Sequence, residues 1–282
     1  MEKIVLTADS TCDLSQELRE RYQVEVVPLY VNFGEESRRD GVDAQPDDIY
    51  AYYERVGKLP TTSAATPADY GEFFARKSQE GDAVIHFNIS SGFSTTHNNA
   101  KLAAEAFPNV YVVDSKNLST GTALLMLKAW DLAQEGMPAK QVVKEAERLR
   151  GQVRASFILD RLEYLWKGGR CSGVTALGAN LLRLKPCIEV EDGGMKAGKK
   201  FRGKLGDVLE DYVATRLKGR MDLDLTRVFI THSGIAQEHI DRVRRKVEEY
   251  ADFKEILVTR AGCTVSNHCG PNTLGILFES EA

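Results

Sequence analysis

The segment AVIHFNISSGFSTTHNNAKLAA, residues 83–104, decides the fold class because it predicts a strand, a loop and a helix in immediate succession. Residues 83–87 are an apolar run of strand length, and residues 98–104 have the composition of a helix. The loop between them is rich in serine and threonine. A helix N-terminus exposes unpaired N–H groups and a partial positive charge, so small hydroxyl side chains at that point are suited to bind a carboxylate or a phosphate.

The same alternation of apolar runs and amphipathic stretches continues on both sides of this segment. Residues 4–7 are strand-like and precede a helix-like stretch at 14–22, and residues 110–113 precede another at 122–134. This alternation predicts a mostly parallel sheet with helices on both faces. Asp13, with Gln16 three residues later, predicts a capping box at the start of the first helix. Pro138 predicts the start of a further helix.

The pattern changes from residue 156 onward. A strand is predicted at 156–159, a helix at 161–166, and a hairpin whose strands, 187–190 and 195–198, are joined by an Asp-Gly-Gly turn. Further predicted elements are helices at 204–217 and 237–250, a strand at 227–231 and a last strand after Pro271. The sequence therefore predicts a two-domain α/β protein, divided into residues 1–155 and 156–282, whose second domain has a mixed or antiparallel sheet.

Composition limits the classes of partner. The chain has 282 residues, 37 Lys plus Arg and 41 Asp plus Glu, for a net charge of -4, which gives no electrostatic reason to expect nucleic acid as a partner. The first apolar run is too short for a signal peptide and no stretch reaches a membrane-spanning length, so we expect a cytoplasmic protein. Five cysteines in a chain of this length indicate reduced thiols.

Two more polar segments accompany the loop at 90–97. One is PTTS at residues 60–63, which we expect to be a second hydroxyl-rich loop, and the other is TVSNHCGPNTLG at residues 264–275. In the latter, a Gly-Pro pair enforces a turn beside His268. If the three segments met at a domain interface, His268 would hold a Ser or Thr rotamer or offer a proton to a bound carboxylate.

The order and spacing of short motifs along essentially the whole chain resemble the DegV family of bacterial fatty-acid-binding proteins. The resemblance rests on TADSTCDL (residues 7–14), Thr62-Ser63 with Thr66-Pro67, ISSGFS (89–94), VDS (113–115), LEYL (162–165) with GGR (168–170), LKP (184–186) and HCGP (268–271).

This resemblance implies a non-catalytic lipid carrier with no cofactor. A long-chain, palmitate-like fatty acid would have its carboxylate near the domain interface and its acyl tail in an apolar tunnel. The family's carboxylate-binding positions fall on Thr62 and Ser94 and its motif histidine on His268, and the adjacent Ser63 and Thr95 are further candidates. Some members present the bound acid to a separate, ATP-binding subunit of fatty acid kinase.

Departures from the family pattern leave the acyl chain open. Ala64-Ala65 follows the Thr-Ser pair, Thr95 and His97 follow Ser94, and Asn267 and Cys269 flank His268. A branched, unsaturated or shorter acid therefore remains an alternative.

Basic residues in the second half are candidates for partner docking. Arg170 lies in a matched motif, and Arg202 belongs to the basic stretch 196–204. Both would suit a kinase subunit or a transient contact with an anionic membrane surface. The alternative for residues 196–204 is a solvated hairpin.

Three rival chemistries are weaker. A serine-dependent hydrolase of a lipid ester, built on Ser94 and His268, lacks a Gly-x-Ser-x-Gly elbow and a clear third member. A zinc site at Cys263, His268 and Cys269 lacks a Cys-x-x-Cys pair and a fourth ligand. A nucleotide-binding enzyme lacks both a P-loop and a Gly-x-Gly-x-x-Gly motif. We therefore expect no catalytic residues and no metal.

Overall fold

Three sheets organise the chain in this computed structural model, which describes residues 2–170 and 184–281. The elements before residue 150 are, in chain order, β1 (Ile4–Asp9), α1 (Gln16–Arg21), β2 (Glu25–Val27), β3 (Tyr30–Phe33), β4 (Glu36–Arg39), α2 (Pro46–Val56), β5 (Thr61–Ser63), α3 (Pro67–Lys77), β6 (Ala83–Asn88), α4 (Thr96–Ala104), β7 (Val110–Asp114), α5 (Thr120–Gln134) and α6 (Ala139–Leu149). Those that follow are β8 (Val153–Ile158), α7 (Leu162–Lys167), β9 (Leu184–Glu191), β10 (Gly194–Arg202), α8 (Leu205–Leu217), β11 (Leu223–His232), α9 (Gln237–Tyr250), β12 (Glu255–Arg260), α10 (Cys263–Cys269) and β13 (Leu274–Ser280).

The first sheet is parallel and has the strand order β2-β1-β6-β7. Strand β6 is buried along its whole length, as expected of a central strand covered on both faces. It leads through the serine-rich loop into α4, so the strand, loop and helix predicted from residues 83–104 are confirmed.

The second sheet is mixed and has the strand order β10-β9-β8-β13-β11-β12, in which β11 and β12 pair in parallel and the other neighbours are antiparallel. Both sheets confirm the predicted fold class.

The hairpin of β9 and β10 is longer than predicted, and its turn residues Asp192 and Gly193 have φ of 50° and 79°. Positive φ at both positions is the requirement of a type I′ turn, which an Asp-Gly pair meets well.

The third sheet, β4-β3-β5, is antiparallel and was not anticipated. Residues 61–63, predicted as part of a loop, pair instead with residues 30–32 of β3. The prediction was wrong because a short strand of polar residues carries no apolar alternation, and its partner lies some thirty residues away along the chain.

The predicted domain division at 155/156 remains a prediction; β8 spans that point and lies wholly within the second sheet.

Helix α5 joins the two large sheets into one continuous core. It contacts β1 and β6 on one side and β8, β11 and β13 on the other, and most of its side chains are buried. The core around it includes Leu6 and Phe87 from the first sheet and Ala155 and Leu277 from the second. Its first two turns are buried, which accounts for the run of apolar residues at 123–127.

Two local predictions were wrong, one about the start of α1 and one about the segment around His268. Asp13 does not cap α1; Ser15 does, because its Oγ accepts the N–H of Leu18 at 3.3 Å. The segment around His268, predicted as a loop, contains the helix α10. Pro138, in contrast, does directly precede a helix, α6.

Within the part of the chain that the structure describes, no helix combines the length and the apolar character needed to cross a membrane.

Candidate functional site

The side chain of Thr62, on strand β5, points towards His268 of α10. Successive side chains of a strand point to opposite faces, and here Thr61 and Ser63 share one face, where Asn32 Nδ2 donates to their hydroxyls at 3.4 and 3.3 Å. Thr62 points to the other face, and its Oγ1 lies 2.9 Å from His268 Nε2. A second bond, from Asn267 Nδ2 to the Pro60 carbonyl at 2.9 Å, fixes α10 against the start of this strand.

The His268 ring is neutral. Burial, and then the positive charge of Arg170, lower the pKa of the imidazole to about 3. Its Nδ1 is buried and has no hydrogen-bond partner among the described residues. The tautomer that carries its proton on Nε2 donates to Thr62 Oγ1, which leaves the threonine proton free for a carboxylate. His268 thus orients a hydroxyl without adding a charge.

Ser94 comes from the loop between β6 and α4. Its Oγ accepts the N–H of Thr96 at 3.2 Å, so the hydroxyl proton is still available to donate. The loop is anchored through Ser90, whose Oγ donates to the carbonyl of Gly193 at 2.7 Å. Gly92 is required there, since a Cβ would lie 2.4 Å from that same carbonyl oxygen.

These side chains line one cavity, with an empty volume of about 590 Å³. Its polar lining residues include Thr62, Ser94, His268 and Arg170, and the rest of the wall is largely apolar: Leu29, Ala64, Ile89, Phe93, Leu118, Leu165, Met195 and Val265. A mainly apolar wall with a few polar groups is typical of small-ligand sites.

Two neighbouring spaces distinguish the two ends of the cavity. Thr62, Arg170 and His268 also line a surface cleft of about 690 Å³, so they stand at the mouth. Leu118, Val265 and Cys269 also line a space of about 340 Å³ that reaches Phe157 and Leu277 of the second sheet. A ligand with a polar head and a long apolar tail would place its head at the first end and its tail at the second.

The structure brings together most of the predicted site residues. Thr62, Ser63, Ser94, Arg170 and His268 all line the cavity, although the hydroxyl of Ser63 is engaged with Asn32. Thr95 is exposed and Arg202 is exposed at the end of β10, and neither is among the residues that line the cavity.

Sequence reasoning missed two buried carboxylates that hold α10. Asp40 accepts the N–H groups of Cys263 and Thr264 at 2.7 and 3.0 Å, and Asp13 accepts the N–H of Gly262 at 2.8 Å. Acceptors for the first N–H groups of a helix normally lie next to it in sequence, but these lie more than 220 residues away. Gly262, which precedes the helix, has no side chain that could accept one of these N–H groups, and this is the one local sign that the acceptors lie elsewhere in the chain.

Stability is expected to depend on pH through Asp13. Burial raises the pKa of its carboxyl from 3.8 to about 8, so the native state binds this proton more tightly than the unfolded chain does. The stabilisation of the native state by this proton is complete below about pH 4 and is lost as the pH rises towards about 8. We expect the free energy of unfolding of the wild type, minus that of Asp13→Asn, to fall over this window. Urea unfolding of both proteins at several pH values measures the difference, and a pH-independent difference would contradict the assignment.

Two of the three rival chemistries, the serine hydrolase and the zinc site, receive no support from the geometry of the described residues. Among the described residues His268 bonds to Thr62, and no hydrogen bond joins it to Ser94. Cys263 and Cys269 are buried free thiols, and burial raises the pKa of both. Over residues 2–170 and 184–281, no group of three His, Cys, Asp or Glu side chains is placed to hold a metal ion.

Comparison with known proteins gives one consistent family. A family model described as an uncharacterised protein of the DegV family matches residues 3–281. A DegV domain-containing protein of Clostridium perfringens is 32% identical over the full length of both chains. A solved structure described as fatty acid binding of a DegV family protein from Thermus thermophilus has a TM-score of 0.88, with 34% identity and 99% of each chain covered. A stearic acid-binding protein from Eubacterium ventriosum has a TM-score of 0.82 at 28% identity, covering 99% of this chain and 98% of its own.

Proposed function

The chain belongs to the DegV family, and we propose that it binds one long-chain, palmitate-like fatty acid without transforming it. The observation that carries this proposal is the cavity that has Thr62, Ser94 and His268 on its wall and an apolar extension towards the second sheet. The fatty acid binding stated for the similar proteins of Thermus thermophilus and Eubacterium ventriosum supports the same ligand class.

The head group would be held by neutral donors. A carboxylate removed from water needs its lone pairs satisfied, and the hydroxyls of Thr62 and Ser94 can each donate one bond. Because His268 is uncharged, Arg170 is the one charged residue among the described residues that line the cavity, while Lys58 and Lys167 line the surface cleft outside it. Each buried methylene contributes about 0.8 kcal/mol before the costs of binding, so the tail supplies most of the affinity and the hydroxyls set the orientation.

Purified protein is expected to contain a fatty acid. Denaturing extraction followed by mass spectrometry should release about one equivalent of a long-chain acid, because such a ligand dissociates slowly from an enclosed apolar site. The same protein should not hydrolyse ester substrates. Protein that is empty and also refuses added palmitic acid would overturn the proposal, and esterase turnover would favour the serine hydrolase instead.

We extend the proposal to two partners. Arg170 at the mouth and the exposed Arg202 would dock an ATP-binding kinase subunit that acts on the presented carboxylate. Trp166, 52% exposed next to Lys167, would allow a transient contact with an anionic membrane surface. Capture of such a subunit by the wild type, and its loss with Arg170→Gln and Arg202→Gln, would support the first contact; capture unaffected by both changes would contradict it.

A further inference from the structure

The two head-group hydroxyls belong to segments that are well separated in sequence. Thr62 lies on β5, whereas Ser94 lies in the loop between β6 and α4. Two hydroxyls that bind one carboxylate must keep a fixed spacing, because a hydrogen bond weakens steeply when its distance or angle departs from the ideal. The two segments are joined through side chains that are not among the residues lining the cavity.

The first connection runs from Tyr70 to Thr96. Tyr70 belongs to α3, the helix that follows β5, and it is fully buried. Its hydroxyl lies 2.7 Å from Oγ1 of Thr96, the first residue of α4. The N–H of Thr96 in turn donates to Ser94 Oγ at 3.2 Å. Two successive hydrogen bonds therefore connect the Ser94 hydroxyl with the helix next to the strand that carries Thr62.

A buried carboxylate and amide fix the direction of the Tyr70 hydroxyl. Both oxygens of Asp9 accept a backbone N–H, at 3.0 and 2.9 Å, so the atom of Asn88 that faces Asp9 at 3.0 Å is the donor Nδ2. This Nδ2 lies 3.0 Å from the Tyr70 hydroxyl and 3.2 Å from His86 Nε2, and its two protons suit the two shorter contacts. The Tyr70 oxygen thus accepts from Asn88, and its single proton is donated to Thr96 Oγ1.

A second hydrogen bond joins the same two segments. Asn99, one turn further along α4, donates from Nδ2 to the carbonyl of Ala65 at 2.8 Å. Ala65 lies between β5 and α3. This bond holds α4 against the chain that leaves β5, while the bond from Tyr70 holds the first residue of α4, whose N–H contacts Ser94.

Packing alone does not require a hydroxyl at Tyr70. Its ring stacks on Phe74 with the centroids 5.6 Å apart, and it contacts His86 edge-on at 5.3 Å. A phenylalanine would make the same ring contacts without a buried polar group that needs partners. The hydroxyl therefore contributes through its hydrogen bonds to Asn88 and Thr96.

We propose that Tyr70 is a positioning residue of the head-group site: its bond to Thr96 holds the Ser94 hydroxyl at the spacing from Thr62 that one carboxylate requires. Tyr70 itself does not line the cavity, and it acts through Thr96. This inference rests on the proposed function, because it assumes that a carboxylate binds between Thr62 and Ser94.

The test measures the affinity for palmitic acid in a double-mutant cycle. Tyr70→Phe is expected to weaken binding about fivefold, because Thr96 loses its partner and the Ser94 hydroxyl loses its geometry. In a protein that already carries Ser94→Ala, the same change should alter the affinity by less than about twofold, since no hydroxyl is left to position. Isothermal titration calorimetry of the four proteins measures the coupling. An equal loss in both backgrounds, or no loss from Ser94→Ala, would overturn the inference.

The hydroxyl of Thr96 offers a conservative rescue. Thr96→Val removes the acceptor and should weaken binding about fivefold, whereas Thr96→Ser keeps it and should bind within about twofold of the wild type. This pair retains the readout if Tyr70→Phe folds poorly. With palmitic acid labelled at its carboxyl carbon, the NMR signal of the head group should move in Tyr70→Phe and Thr96→Val but not in Thr96→Ser.

The matched control is Tyr212→Phe. Tyr212 is also fully buried, and its hydroxyl donates to the Ser156 carbonyl at 2.7 Å and accepts the N–H of Ile276 at 2.9 Å, at the second sheet. The change should lower stability but leave the affinity within about twofold of the wild type. If folded Tyr70→Phe or Thr96→Val binds as tightly as the wild type, or if Tyr212→Phe binds as weakly as Tyr70→Phe, the inference fails and the proposed function stands. If the wild type does not bind palmitic acid, the proposed function itself fails.

Discussion

Replacing Thr62 by valine and Ser94 by alanine in one protein is expected to weaken binding of palmitic acid by at least about a hundredfold. Each hydroxyl can donate a hydrogen bond to the charged carboxylate, and such a bond contributes about 1.5 to 3 kcal/mol, or roughly tenfold to a hundredfold in affinity. The acyl tail would still enter the apolar part of the cavity, so residual binding should remain. Isothermal titration calorimetry of the double variant and of the two single variants measures the loss.

The fold should survive these changes. Thr62→Val preserves a β-branched side chain in β5, and the cost is the bond to His268. Thr61→Val is the control: it lies on the same strand, its side chain points to the opposite face, and its hydroxyl bonds weakly to Asn32. We expect its affinity for palmitic acid to stay within about twofold of the wild type. Unchanged binding by the double variant would refute the assignment of the head-group site.

The second large effect is expected at Gly168, at the end of α7. A Cβ there would lie 2.2 Å from His268 Nδ1 and 2.9 Å from the Tyr164 carbonyl oxygen. The backbone itself tolerates alanine, because its φ is -73°. Gly168→Ala should therefore push the imidazole away from Thr62 and weaken binding of palmitic acid by about twentyfold, with overpacking of this kind costing about 1 to 3 kcal/mol.

Gly169→Ala provides the matched comparison. Nothing lies within 4 Å of a Cβ at Gly169, but its φ of +71° strains any other residue. We expect this variant to lose about 1 to 2 kcal/mol of stability while its affinity stays within about twofold of the wild type. Thermal unfolding and calorimetry of the two variants separate the effects. Equal affinities for palmitic acid in Gly168→Ala and Gly169→Ala would show that the contact with His268 does not matter.

Much of the fold was predictable because its signals are local. The apolar run in β6, the serine-rich loop and α4 follow one another within residues 83–104, and the Asp-Gly turn specifies the hairpin of β9 and β10. Helix α9 was predicted with its observed bounds, since its amphipathic repeat continues through the whole of residues 237–250. Such signals act within one or two turns of helix or a few strand residues, which a single sequence displays in full.

The candidate site was predictable only in its residue types. The resemblance to the family directed attention to Thr62, Ser94 and His268, but not to Thr264 or to the apolar residues Leu29, Leu118 and Met195, which come from separate elements. An apolar residue in a tunnel wall has the same sequence pattern as one in an ordinary core. Whether it faces a ligand or another side chain is decided by where its element packs.

By itself the amino-acid sequence determined the α/β class and the parallel sheet around β6, while the carboxylate-binding role of its hydroxyl residues came from the family resemblance and stays a prediction. The tertiary structure alone decided that residues 61–63 form a strand and that His268 lies on a helix. The physical reason is that long-range hydrogen bonds stabilise both elements: β5 pairs with β3, and the N–H groups at the start of α10 are satisfied by Asp13 and Asp40. Bonds between residues thirty to 250 positions apart leave no periodic signal in the sequence, yet they place Thr62 beside His268 and so assemble the site.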